Sequence, residues 1–161
     1  MTPHTKVCLL VIAACSSSLA FAKDMAVNSD VSFHDPSVIA PNIKSECTEL
    51  GNNLFKSTKQ NLEESGWTVL PGESKVDSTP GNAIKLEIVN ALSGGNAFVG
   101  HHKSVSILAT LYKDGHAIDS YTTTRSSQGG LLAGFKGSCS VLYRCVDTLG
   151  SDISRWVNSK Q

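Results

Sequence analysis

Neither sign of charge is in excess: 14 Lys and Arg face 14 Asp and Glu, and charged residues make up only 17% of the chain. The basic stripe expected of a nucleic-acid binder is missing, and so is the Lys/Arg cluster that holds a protein on anionic lipid. No G-x-S-x-G, H-E-x-x-H or C-x-x-C occurs. The spacings that place a nucleophile, a zinc ion or a redox dithiol are therefore lacking. Lys136-Gly137-Ser138 reverses the order of a phosphate-binding loop. No apolar run approaches the roughly 20 residues of a membrane-spanning helix. Aromatics are scarce at 6%, but the hydrophobic content of 40% over 161 residues suffices for the core of one domain.

What is present begins with a targeting pattern. Lys6 precedes an apolar stretch, Val7 to Ala14, and Ala20-Phe21-Ala22 follows as a small-x-small cleavage site. Residues 1–22 read as a signal peptide. A second reading of the same stretch takes Ile12-Ala13-Ala14-Cys15 as a lipobox, with Cys15 lipidated to become the anchor of an outer-membrane lipoprotein. Either places the chain outside the cytoplasm, periplasmic or secreted in the first case.

Residues 23–44 contain Pro36 and Pro41 among many Asn, Asp and Ser, without a hydrophobic period. They are expected to form a flexible arm. A single α+β domain is expected over 45–161. Cys47, Leu50, Leu54, Thr58 and Leu62 share one helical stripe that stops at Gly66. Short strands follow at Trp67–Leu70, Ala83–Leu92, Lys103–Tyr112 and His116–Arg125. Leu142, Cys145, Val146, Leu149, Ile153, Trp156 and Val157 form the stripe of a last helix starting at Ser138 or Ser140, with Gly150 inside it. The expected architecture is α-β-β-β-β-α, two helices on one face of a four-stranded, mainly antiparallel sheet.

Asp114-Gly115 is a two-residue hairpin turn. Its register would set Lys113 opposite His116, Leu111 opposite Ile118, Thr110 opposite Asp119 and Leu108 opposite Tyr121. Ile118 would then face the core, and Tyr112 and Tyr121 the open side of the sheet.

Outside the targeting segment three cysteines remain, Cys47, Cys139 and Cys145. In an up-and-down meander the two helices run antiparallel. Cys47 and Cys145 would then lie roughly 20 Å apart at 1.5 Å per helical residue, beyond the reach of a disulfide. Cys139–Cys145 is the favoured bond, leaving Cys47 a buried thiol; a bond using Cys47, or none, stays open. His101-His102 invites a small-molecule or metal reading, but neighbours on a strand point to opposite faces. No metal site and no cofactor are expected. Cys139 before a helix could serve a thiol-dependent periplasmic enzyme. Both are alternatives to the favoured reading, a non-catalytic module that uses Leu131, Leu132 and Phe135 on the glycine-rich stretch Gln128–Gly137, with Tyr112 and Tyr121, as a contact surface for another protein or envelope component.

The order of these elements resembles small bacterial envelope modules such as the amino-terminal domain of the translocation protein TolB. Leu50 to Arg125, with its helix, Gly66-Trp67-Thr68-Val69 and the Tyr112-Lys113-Asp114-Gly115 hairpin, is similar to the conjugal-transfer lipoprotein TrbH. Gly134 to Ser140, running on to Cys145, Leu149-Gly150, Asp152-Ile153 and Trp156, resembles the C-terminal signature of uncharacterised exported proteobacterial proteins. The resemblance implies an envelope location and a non-enzymatic role.

Overall fold

Alternating and 3.6-residue patterns become strands and helices where the sequence places them, in a computed structural model that describes residues 23–72, 75–96, 100–128 and 138–160. The targeting segment with Cys15, and Leu131, Leu132 and Phe135, lie outside the described residues. Lys23–Asn28 (β1), Trp67–Gly72 (β2), Asn82–Asn96 (β3), Gly100–Lys113 (β4) and His116–Gln128 (β5) make one sheet in the order β2-β1-β3-β4-β5. Strand β1 runs parallel to β2 and β3, while β3, β4 and β5 are antiparallel. The helices are Pro41–Glu46 (α1), Leu50–Glu64 (α2) and Ser138–Asn158 (α3). The class is α+β as expected, but the sheet has five strands in mixed directions, and there are three helices.

The fifth strand comes from the segment expected to be a flexible arm. Met25, Val27, Val31, Ile39 and Ile43 of that segment are all buried in the main core. Their spacing matches neither period because the chain is extended, then turned, then briefly helical. Strand β1 pairs with β3 only at Ala26–Ala83 and Val27–Ile84. Beyond that, the side chain of Asn28 stands in for a peptide group: its Oδ1 accepts from the Leu86 N–H at 2.7 Å and its Nδ2 donates to the Leu86 carbonyl at 3.0 Å. Pairing resumes where the Ile88 N–H donates to the Ser32 carbonyl and the His34 N–H to the Ile88 carbonyl. The backbone groups of β3 are thus satisfied through the gap, as burial requires.

Inserting β1 reverses a parity. Since β2 and β3 both run with β1, and β4 and β5 each reverse, β5 runs in the direction of β2. Helix α2 leads into β2 and α3 follows β5, so the two helices run parallel. Contacts in register confirm it: Ser57 Oγ donates to the Asp147 carbonyl (2.8 Å), Ser154 Oγ to the Asn61 carbonyl (2.9 Å) and Trp67 Nε1 to Asn158 Oδ1 (2.9 Å). The start of α3 therefore lies beside the end of α1. There Cys139 bonds Cys47, with Cα atoms 5.2 Å apart, and Cys145 is a buried free thiol. The Cys139–Cys145 pairing expected from an antiparallel helix pair is thereby corrected.

The helices meet closely at Gly150. A Cβ there would stand 2.3 Å from Ser57 Oγ and 2.7 Å from the Ser57 carbonyl carbon. The break in the apolar stripe of α3 is a contact point, and its low helix propensity is offset by that approach. On the other face of the sheet, the β2–β3 connection lays Val76 across Ala26 and Ala83, with Tyr112 packed beside them.

The β4–β5 hairpin keeps its turn, Asp114 at φ 50° and Gly115 at φ 80°, and Lys113 faces His116. A bulge then shifts the register: Leu111 faces Asp119 and Tyr112 faces Ala117, leaving Ile118 as the extra residue. Every later pair moves by one. Thr110 opposes Ser120 and Ala109 opposes Tyr121. Tyr121 consequently points to the helices and stacks on Trp156, ring centroids 5.4 Å apart, instead of sitting on the open face. Ile118 leaves the core and is 56% exposed.

One buried carboxylate ties sheet to helix. Asp152 of α3 is 4% exposed. It accepts two hydrogen bonds from Arg125 of β5, Nε at 2.6 Å and Nη2 at 2.7 Å, and a third from Arg155. The Arg125 guanidinium, followed by Arg155, holds the Asp152 carboxyl below its ordinary range against the opposing effect of burial.

Three outcomes follow from this packing. Gly150→Ala should destabilise the chain by about 1–3 kcal/mol through overpacking, measured by urea unfolding, whereas a neutral change would deny the close approach. Proteolysis without reductant should give a linked Cys47–Cys139 peptide pair and leave Cys145 unalkylated until the chain unfolds. Closing 92 residues should stabilise by about 4.6 kcal/mol in the chain-entropy account. Asp152→Asn should cost about 3 kcal/mol, the low end for breaking a buried pair because Arg125 is half exposed and can rehydrate. Because the folded-state value of Asp152 is depressed, its contribution is complete above the unfolded value near 3.8 and is lost as pH falls through the lower folded value. The difference in stability between parent and Asp152→Asn should therefore be constant at neutral pH and shrink below about pH 4.

Candidate functional site

The residues marked from the sequence do not converge. Tyr112 packs under Val76 on one face of the sheet, and Tyr121 stacks on Trp156 on the other. His101 and His102 pair through β4 with Gly95 and Gly94. Among the described residues no three His, Cys, Asp or Glu side chains gather as a metal would need. Cys139 is committed to its disulfide, which removes it as a nucleophile. Burial pushes the Cys145 thiol up, away from the thiolate that chemistry requires.

What the fold does assemble is a cleft at the pole of the sheet where β1, β2 and β3 begin and β4 and α3 end. Its volume is about 460 Å³, within the range of small-molecule sites. Met25, Trp67, Leu111 and Val157 form the floor, all of them core residues. Ile118, swung outward by the bulge, makes one wall. Lys23, Lys113 and Lys160 stand around it with Asn82.

Each position has a local cause. Trp67 opens β2 and is fixed by its indole N–H bond to Asn158. Lys23 opens β1 and lies over the Trp67 ring, its Nζ 5.8 Å from the centroid, a cation–π approach. Lys160 follows α3 and pairs with Asp119 of β5 at 2.8 Å. The Lys160 ammonium, with the Ser120 N–H, keeps the Asp119 carboxyl below its ordinary range. Lys113 ends β4, opposite Asn82 and His116.

The described lining holds no Asp, Glu, His, Cys, Ser or Thr. Its chemistry is positive charge above an apolar floor. Sequence reading missed this site because its parts are more than 130 residues apart, from Lys23 to Lys160. The only local sign was that lysines close β4 and follow α3. A second groove between α2 and α3, lined by Asn53, Lys56, Gln60 and Asp147 among others, is polar throughout. Several of its groups are already bonded, Asn61 to the Ser57 carbonyl and Gln60 to Glu64.

No helix among the described residues is long and apolar enough to cross a membrane. No family model matches the chain, and no curated protein matches its sequence. Solved structures do match in fold. A minor lipoprotein from Acinetobacter baumannii is 11% identical with a TM-score of 0.52, over 86% of this chain and 94% of that one. PelC from Paraburkholderia phytofirmans, solved as a dodecamer, is 16% identical with a TM-score of 0.53, over 83% of this chain and 89% of that one. A DUF330 protein from Xanthomonas campestris is 10% identical with a TM-score of 0.56, over 84% and 83%. At these identities the likeness is one of fold: the chain shares its α+β architecture with small bacterial proteins that include a lipoprotein.

Proposed function

We propose that this chain is an exported, non-catalytic module of the bacterial envelope that binds another protein or an envelope component. The Cys47–Cys139 disulfide carries the reading, because a bond closing 92 residues belongs to an oxidising compartment. The fold shared with a lipoprotein supports it, as do the targeting pattern of residues 1–22 and the likeness to TrbH and the TolB module. Cleavage after Ala22 yields a periplasmic or secreted protein; lipidation at Cys15 yields an outer-membrane one. Leu131, Leu132 and Phe135 supply the protein-contacting surface in this proposal. Tyr121 drops out of that surface because its ring is spent on Trp156. A thiol enzyme built on Cys139 is set aside by the same disulfide.

Expression of the full chain in a Gram-negative host tests the reading. Fractionation and mass spectrometry should find it outside the cytoplasm, beginning at Lys23 or at a lipidated Cys15. Cross-linking in cells should trap an envelope partner that the Leu132→Ala, Phe135→Ala double variant loses. An intact chain in the cytosol with every thiol reduced would overturn the proposal.

A further inference from the structure

We infer that the lysine-rimmed cleft binds a single-chain amphiphile with an anionic head group, an acyl chain ending in a carboxylate or a phosphate. It rests on the envelope reading above, since the envelope is where such molecules are abundant, and it names the component that this site takes. Three observations point the same way.

First, the cleft joins two chemistries. Buried core side chains back the cleft, and beside them Ile118 is 56% exposed; a flexible apolar chain laid against Ile118 would remove its surface from water at about 25 cal/mol per Å². Second, the charge around it has one sign. Three lysines and no carboxylate line the cleft; Asp119 stands beside it and is already engaged by Lys160. Lys113 needs no displacement to meet an anion, because its side chain lies at the exposed end of β4. A head group held there would sit among ammonium groups while its chain ran inward over Trp67 and Leu111.

Third, the wall is made by a departure from regular pairing. Without the bulge Ile118 would oppose Leu111 and close the end of the core. With it, Asp119 opposes Leu111 and Ile118 is turned out beside the cleft. Bulges re-aim side chains and gather next to binding sites, and this one sets a large apolar side chain at the mouth of the cleft. An uncharged ligand would leave the lysine rim unused.

Titration of the disulfide-intact protein with dodecanoate, dodecyl phosphate and dodecyl maltoside, each below its micelle concentration, tests the inference by calorimetry and by amide and indole NMR shifts. The two anionic amphiphiles should bind saturably, with shifts at Lys23, the Trp67 indole, Lys113 and Ile118. Whichever of the two binds tighter identifies the head group. The uncharged maltoside should bind at least about tenfold more weakly. Lys113→Glu should weaken dodecanoate binding about tenfold, or about 1.4 kcal/mol, and leave maltoside binding unchanged. Ile118→Ser should weaken all three. Both substitutions lie on exposed side chains, and an unchanged melting curve confirms the fold. Equal binding of maltoside and dodecanoate, shifts mapping elsewhere, or no saturable binding would overturn the inference. A chain located in the envelope that binds no amphiphile refutes this site alone, whereas a cytosolic chain refutes the reading beneath it.

Discussion

Strand β1 sits between β2 and β3, so two halves of the sheet are joined through six residues near the front of the chain. On one side Lys23–Asn28 pairs with the whole of β2; on the other, two residue pairs and the Asn28 carboxamide hold β3, followed by the bonds of Ser32 and His34 to Ile88. Met25 and Val27 face the helices while Ala26 faces the crossover at Val76. Without β1, the parallel edges of β2 and β3 would each lose their partners, and buried backbone groups would go unmet at a cost of roughly 1–3 kcal/mol apiece. Helix direction, disulfide pairing and the position of the cleft all follow from this placement.

Helix α3 is fastened at three heights. Cys139 holds its start to Cys47, the carboxylate of Asp152 holds its middle to Arg125, and Lys160 just past its end is bound to Asp119. Between the last two, Trp156 lies against Tyr121, an aromatic pair worth about 1 kcal/mol beyond its buried area. These attachments fix the end of the helix against the sheet, and the gap left between them at the β1 pole is the cleft. The charge of Lys160 is partly spent on structure, so Lys113 is the lysine whose removal changes the cleft most and the fold least.

The regular elements were legible in the sequence. The stripes of α2 and α3 and the alternation of β3 and β4 mark the buried residues correctly, because each side of those elements meets one uniform environment. What escaped was non-local. Residues 23–44 show no period because Val27 is in a strand, Val31 follows a bend and lies against Gly51 of α2, and Ile43 is in a short helix, with two prolines between Val31 and Ile43. Missing β1 made the sheet a four-stranded meander, which reverses one helix and pushes Cys47 away from Cys139. The wrong disulfide followed from one absent strand. The hairpin failed differently: its turn residues were read correctly, but the bulge at Ile118 lies three residues past the turn, where no turn motif encodes it. The cleft was invisible for both reasons, since its floor begins in β1 and its wall is the bulged Ile118.

The position of β1 also shapes how the chain must come together. It is the earliest described segment to be synthesised, yet its partners are Trp67–Gly72 and Ala83–Ile84, and the closing sulfur is Cys139. Contacts of such long sequence separation are slow to form. The first strand has nowhere to settle until half the polypeptide has followed it, which leaves a long interval in which the chain stays extended. A translocation channel that accepts only unfolded polypeptide would find that interval already provided by the topology.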